Sequence, residues 1–356
     1  MNNHLRAAVC MVCCSWGCGE QQISLGDRQL CSVFETAAVD RASDLRVDAL
    51  HASEDSVQVI WGGDALRFVG TLELDGAVRS TRSLGSRASF SRSDLVPFGE
   101  RWRLVWQNHD RRGEWSIFDG VVDPESTEAE VEGAEALSDR GVGGAFEPRM
   151  VRGNDGVAIA WRQAGQVTLR RIDDDGTDFG NLSYTHRGGE VSVLGVLAYD
   201  EGYSALFLRN DELMLMRVVG TEVQAYSLME RGVLWADAVV SSGVLQVALA
   251  RARAVELARI DLQSHRVLDT QTLLGTDSAP TVLRMAQDAN TLGVVFGLDS
   301  GEAHWVRVDE EGIVRSAFVI DENVDPRFME LSVTSGTWIT AYNRGDELKV
   351  RGLCAP

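Results

Sequence analysis

Cysteine is the first residue type in this sequence that could do chemistry, and its six copies are unevenly placed. Cys10, Cys13, Cys14, Cys18 and Cys31 lie at one end and Cys354 at the other. Histidine comes next, but His51, His109, His186, His265 and His304 are scattered, and none has a second His or Cys at metal-ligand spacing. No nucleophile elbow, zinc-protease helix, phosphate loop followed by Lys or dinucleotide fingerprint occurs. Asp173-Asp-Asp-Gly-Thr-Asp178 lacks the alternate acid spacing and the downstream Glu of a calcium loop, so it reads as a solvated turn. No residue pattern calls for a cofactor or a metal. Catalytic residues cannot be named from this sequence.

Charge narrows the partners. There are 53 acidic residues against 34 basic ones in 356 residues, a formal charge of −19. That balance argues against a general nucleic-acid binder, which neutralises phosphates with a basic surface, and against electrostatic attachment to anionic lipid. Of the basic residues only Lys349 is a lysine. Arginine stays protonated and does not serve as a Schiff-base or general-base amine.

The N-terminus reads as an address. Met1 to Arg6 is polar with one positive charge, and Ala7 to Cys14 is an eight-residue apolar run. That run is too short to span a bilayer and the right length for the core of an export signal. Ser15-Trp16-Gly17-Cys18 follows, and with it the segment resembles a bacterial lipoprotein signal, in which a small residue precedes a cysteine that is lipidated. Ser15 departs from the pattern, where an aliphatic residue is usual, so ordinary cleavage near Gly17 is the alternative. The resemblance implies residues 1–17 as signal, Cys18 as lipidation site, 18–28 as tether and an outer-membrane location, since Gly19 rather than Asp follows the cysteine. Cys31 and Cys354 are then left in an exported chain, where disulfides persist, and are expected to pair.

The elements that must position everything else form a repeat. Seven short strands end in a large, usually aromatic, residue: Val57–Trp61, Trp102–Trp106, Val157–Trp161, Tyr203–Phe207, Leu245–Leu249, Leu292–Phe296 and Trp338–Tyr342. Their last residues are 45, 55, 46, 42, 47 and 46 positions apart. Gly-, Asp-, Asn- or Ser-containing turns precede most of them, a third strand follows each, and a more polar fourth strand follows several. Four strands per unit and seven units with a period in the forties resemble a β-propeller. The expected fold is all-β: a single propeller over 29–356, with six or eight blades or two packed sandwiches as alternatives. The last unit lacks a fourth strand, and Gln29–Phe34 is a spare strand before the first. Placing it beside Leu348–Leu353 closes the ring and brings Cys31 to Cys354.

Within that resemblance, the aromatic ends of the second strands are packing residues between blades. Glu128, Glu130 and Glu132 alternate with Ala129 and Val131, as an outer edge strand guarded by charge would. Linkers into the first strands carry Arg140, Arg149, Arg187, Arg231 and Arg327, several beside an acid. In a propeller such linkers surround one mouth of the central channel, which makes these five arginines candidates for an anion site. The function expected is a non-catalytic, lipid-anchored propeller of the cell envelope that binds a protein or glycan through one face, with no nucleic-acid partner. The alternatives are an envelope hydrolase or lyase with its site in the channel, or a structural subunit of an envelope complex.

Overall fold

The computed structural model describes residues 32–35, 45–63, 67–84, 92–110, 113–123, 131–139, 141–185, 189–200, 202–309 and 311–353. They form seven four-stranded antiparallel sheets. Blade 1 is β2 to β5 (Arg46–Ala52, Ser56–Gly62, Arg67–Glu73, Val78–Ser83), and blade 2 is β6 to β9 (Ser93–Phe98, Arg101–His109, Trp115–Val122, Glu132–Ala136). Blade 3 is β10 to β13 (Ala145–Arg152, Gly156–Gln163, Gln166–Asp173, Asp178–Thr185), and blade 4 is β14 to β17 (Val191–Tyr199, Gly202–Arg209, Glu212–Val219, Glu222–Met229). Blade 5 is β18 to β21 (Trp235–Ser241, Val244–Arg251, Ala254–Asp261, Val267–Gly275), and blade 6 is β22 to β25 (Pro280–Asp288, Thr291–Leu298, Glu302–Asp309, Val314–Glu322). Blade 7 is β26 to β28 (Val324–Thr334, Thr337–Arg344, Glu347–Leu353) with β1 (Ser32–Glu35) as its fourth strand. First strands touch in a ring, from β2 through β6, β10, β14, β18 and β22 to β26 and back to β2. The protein is a seven-bladed β-propeller.

Each second strand is buried on both faces because another blade lies on each side of it, which is why it reads as a largely hydrophobic run, broken in most blades by one buried polar residue such as Gln58, Ser204 or Thr340. Seven hydrophobic clusters fill the seven junctions. The large residue that closes each second strand points toward the preceding blade. Trp61 packs against Ile339 and Val350 of blade 7, Trp161 against Val105 and Ile117 of blade 2, and Tyr342 against Val295 of blade 6. Trp61, Trp161, Phe207, Leu249, Phe296 and Tyr342 are fully buried. Burial of this kind contributes roughly 1.5–3 kcal/mol per large side chain.

Bulk on one blade meets small residues on its neighbour. Ala158 and Ala160 of blade 3 lie against Tyr203 and Phe207 of blade 4. At the junction of blades 6 and 7 the complementarity is tightest: a Cβ on Gly293 would lie 2.4 Å from atoms of both Trp305 and Trp338. Outer strands alternate polar residues toward water, as in β5 and β21, which discourages edge-to-edge pairing.

The ring closes as a clasp between chain ends. β1 runs antiparallel to β28, with Ser32 opposite Leu353, Phe34 opposite Gly352 and Glu35 opposite Arg351. The strand expected over Gln29–Phe34 is described from Ser32 to Glu35. Cys18, Cys31 and Cys354 lie outside the described residues, as do Glu128 and Glu130. Glu132 begins the outermost strand of blade 2 and pairs with Arg101 at 2.7 Å.

Candidate functional site

Two places concentrate polar side chains: the channel, and the face onto which the turns between first and second strands open. The channel is built by the first strands. One period apart, they present Asp48 on β2, Asp94 on β6, Arg149 on β10, Asp237 on β18, Arg284 on β22 and Glu330 on β26, with Gly195 at the corresponding place on β14. A Cβ on Gly195 would come within 3.7 Å of Asp237 Oδ1.

Most of these groups tie one blade to the next. Asp94 accepts from its own neighbour Leu95 N at 2.8 Å and from Met150 N of blade 3 at 2.8 Å. Asp237 repeats this at the junction of blades 5 and 6, accepting from Ala238 N and Met285 N at 2.9 Å each. Glu147 accepts from Val193 N of blade 4 at 3.1 Å, and Ser332 Oγ accepts from Ala52 N of blade 1 at 2.9 Å. Asp48 accepts from Ser93 Oγ of blade 2 at 3.1 Å and meets Arg67 at 2.8 Å. Arg284 forks onto Glu330 of blade 7 through Nε at 2.7 Å and Nη2 at 2.9 Å.

Burial dominates the electrostatics of this ring. It raises the Asp94 carboxyl to about 6, Arg149 and the Met150 N–H opposing it only partly. Burial also raises Asp237 and Asp48 above the ordinary carboxylate range, against the pull of Arg284 and Arg67 respectively. Burial disfavours the charge on Arg284, but Glu330 beside it more than offsets this and raises its pKa. With both oxygens of Asp94 and of Asp237 engaged by backbone N–H groups, these carboxylates act as staples. They are not placed as a free acid–base pair. Among the described residues no group of three His, Cys, Asp or Glu is arranged to hold a metal ion.

The two faces of the propeller differ in charge. Among the described residues, the segments joining first to second and third to fourth strands contain ten Asp and Glu and one basic residue, Arg266. Those joining second to third strands, and one blade to the next, contain nine acids and three arginines among the described residues. The acidic face also carries Val78, Phe179, Val219, Val267, Leu268 and Ile313, all exposed and all at turns between third and fourth strands.

A cleft of about 690 Å³ opens on that acidic face between blades 3, 4 and 5, lined by Arg152, Asn154, Tyr199, Asp200, Arg217, Ser242 and Gln263 among others. Tyr199 is fixed there by a 2.9 Å bond to Ser204 Oγ and by the Arg217 guanidinium 5.5 Å above its ring. Arg152 is held by Asp174 at 2.6 Å. Gly153 is required at its edge, since a Cβ there would lie 2.4 Å from the Tyr203 hydroxyl. Asp200 and Gln263 are exposed. A second groove, about 390 Å³, lies between blades 2 and 3, where Arg103 is paired with Asp119 and Arg170 with Asp178. Asp173–Asp178, expected as a solvated turn, takes part in this pairing through Asp173, Asp174 and Asp178.

The five arginines expected to gather at one mouth have different surroundings. Arg149 enters the channel, 3.9 Å from Glu330. Arg327 is 71% exposed at its side chain and forks onto its neighbour Asp325 at 2.7 and 2.9 Å. Arg231 is exposed, and its carbonyl accepts from Arg251 at 3.0 Å. Arg140 and Arg187 lie outside the described residues. Asp48, Asp94, Asp237, Arg284 and Glu330 escaped the sequence reading. Their common signal is an ionisable residue within each of these first strands, recurring at about the blade period.

No family model matches the sequence, and no curated protein matches it. Solved structures do resemble the fold. The WD40 domain of coronin from Toxoplasma gondii superposes with a TM-score of 0.59 at 14% identity, covering 90% of this chain and 86% of that one. A chain of the mitotic checkpoint complex gives 0.61 at 13% identity, covering 99% of each. This chain has a WD40-like propeller fold.

Proposed function

We propose that the protein is a non-catalytic propeller, tethered through a lipid on Cys18 to the bacterial envelope, that binds a protein or glycan partner on its acidic face. The observation carrying the reading is the coincidence on one face of the cleft, the exposed apolar residues and, among the described residues, ten acids against one base. WD40-like propellers often serve as protein-interaction scaffolds, and the similar coronin structure is a WD40 domain. Fold alone does not assign function, so the surface has to carry the argument. Apolar side chains set among charges suit a partner offering both apolar and basic groups. The staple role of Asp94 and Asp237 favours binding over channel catalysis. The signal-like segment Ala7–Cys14 followed by Gly17-Cys18 supports the anchor and an outer-membrane location.

The test expresses the full chain in a lipoprotein-processing bacterium with labelled fatty acid and recovers it from membranes. The wild type should carry label and retain a partner, and Cys18→Ser should lose the label. Asp200→Arg with Gln263→Arg should keep the label and lose the partner. Equal partner recovery with the double variant would overturn the choice of face. Label retained by Cys18→Ser would overturn the anchor.

A further inference from the structure

We propose that the cleft between blades 3, 4 and 5 is a saccharide site that takes a neutral sugar unit. The inference rests on the reading of the acidic face as the binding face and names what enters the cleft there. The hollow has its origin in three neighbouring first strands. Opposite the start of each apolar run, blade 3 has Arg152, blade 4 has Ala198 and blade 5 has Val240. Three residues earlier the same strands carry Arg149, Gly195 and Asp237. Blade 4 thus sets two small residues between bulkier neighbours, and Gly153 and Gly243 keep the flanking turns bare. The resulting volume of about 690 Å³ is that of a ligand pocket, for which roughly 300–1,000 Å³ is usual.

Apolar and polar groups interleave in the lining. Ala198, Val240 and Leu262 are apolar, and the Tyr199 ring joins them because its hydroxyl is committed to Ser204 Oγ at 2.9 Å. Asn154, Asp200, Ser242 and Gln263 are exposed, and their side chains make no hydrogen bond with a described residue. Coming from three blades, they offer amide donors together with amide, hydroxyl and carboxylate acceptors. A sugar ring presents the matching mixture: C–H faces that pack on apolar and aromatic surface, and hydroxyls that both donate and accept.

Charge selects among polar ligands. The lining holds two guanidiniums, Arg152 and Arg217, and one carboxylate, Asp200. Asp174, 2.6 Å from Arg152, brings the balance to two against two. An anion is opposed by the surplus of acids on this face, and a cation meets the two guanidiniums. Burying either charge without a matched partner costs more than burying a neutral polyol whose hydroxyls find partners. A partner's basic groups therefore meet the acids around the cleft, outside its lining. An extended peptide suits the cleft poorly. The lining comes from turns and from first and third strands, so no outer strand edge is there to continue a peptide's backbone pairing.

The experiment applies the full chain to an array of immobilised neutral, acidic and amino oligosaccharides, with displacement by the same sugars free in solution. Wild-type protein should bind neutral members and be displaced by them. Ala198→Trp, which fills the hollow, should weaken binding at least tenfold, as should Asn154→Ala combined with Gln263→Ala. Asn154 and Gln263 are exposed, so the double variant keeps the test decisive if Ala198→Trp folds poorly. No binding to a neutral member, preference for acidic or amino sugars, or unchanged binding in the double variant would each overturn the proposal. A wild type that retains its envelope partner and binds no sugar sinks this inference alone. Partner capture that survives Asp200→Arg with Gln263→Arg, beside neutral-sugar binding by the wild type, supports the sugar site and sinks only the partner's choice of face.

Discussion

Replacing Gly293 by alanine tests the inter-blade packing with one added methyl group. That carbon would sit 2.4 Å from Trp305 Cη2 and Trp338 Cζ3 and 2.5 Å from Trp338 Cε3. Carbon atoms pack at about 3.5–4.0 Å, so the overlap exceeds 1 Å against two separate indoles. Neither ring has an easy escape: both are buried to within 1%, and their centroids stand 5.2 Å apart across the junction of blades 6 and 7. Overpacking of this kind costs about 1–3 kcal/mol, against about 0.5–1 kcal/mol recovered because alanine constrains the unfolded chain and favours the strand. In a domain this large each kcal/mol moves the melting midpoint by roughly 2–4 °C. The net cost is up to about 2.5 kcal/mol, so Gly293→Ala should melt below wild type by up to about 10 °C in differential scanning calorimetry. Gly275→Ala is the control, because nothing lies within 4 Å of its added carbon. If Gly293→Ala melts at or above Gly275→Ala, the tight junction is wrong.

Trp161→Ala empties the junction of blades 2 and 3 and should cost about 3–5 kcal/mol by urea unfolding. Asp94 sits at about 6 in the fold against an ordinary 3.8, so the folded state binds more protons between those values. Stability should then fall as pH rises from about 4 to 6, and urea midpoints of Asp94→Asn should show a shallower fall across that window. Cys31 and Cys354 directly adjoin, in sequence, the paired residues Ser32 and Leu353. If they form the expected disulfide, Cys354→Ser should lower stability by up to about 5–6 kcal/mol on the chain-entropy scale, and reduction should change wild-type gel mobility but not that of the variant.

The fold was legible because the propeller writes its most constrained strand plainly. Val157–Trp161 and its six counterparts are buried on both faces, so each appears as a mostly apolar run, closed by a large residue, at a regular interval. The closing strand was legible for a related reason: three strands in the last unit left β28 without a partner, and β1 supplies it. Gln29–Cys31 lie outside the described residues, and at its other end the strand runs one residue past Phe34, to Glu35.

The sites were harder to read. Arg149 meets Glu330, which is distant in sequence, and Asp94 meets Met150 of the next blade. Only ring closure makes these residues neighbours. Arg327 looked equivalent to Arg149 in sequence but has Asp325 two positions away, and the local pair takes it. The acidic face was hidden in the same way. Its charges become one surface only once each loop is known to leave the sheet at the same end.

Site-specific photo-cross-linking tests the central claim, that the protein works by binding through its acidic face. A photoreactive residue replaces exposed Gln263 at the cleft in one protein, and exposed Arg253 on the opposite face in another. Irradiated in intact cells, the Gln263 probe should give one discrete adduct that disappears when Asp200→Arg is added, and the Arg253 probe should give none. An adduct formed from Arg253 and absent from Gln263 would contradict the account.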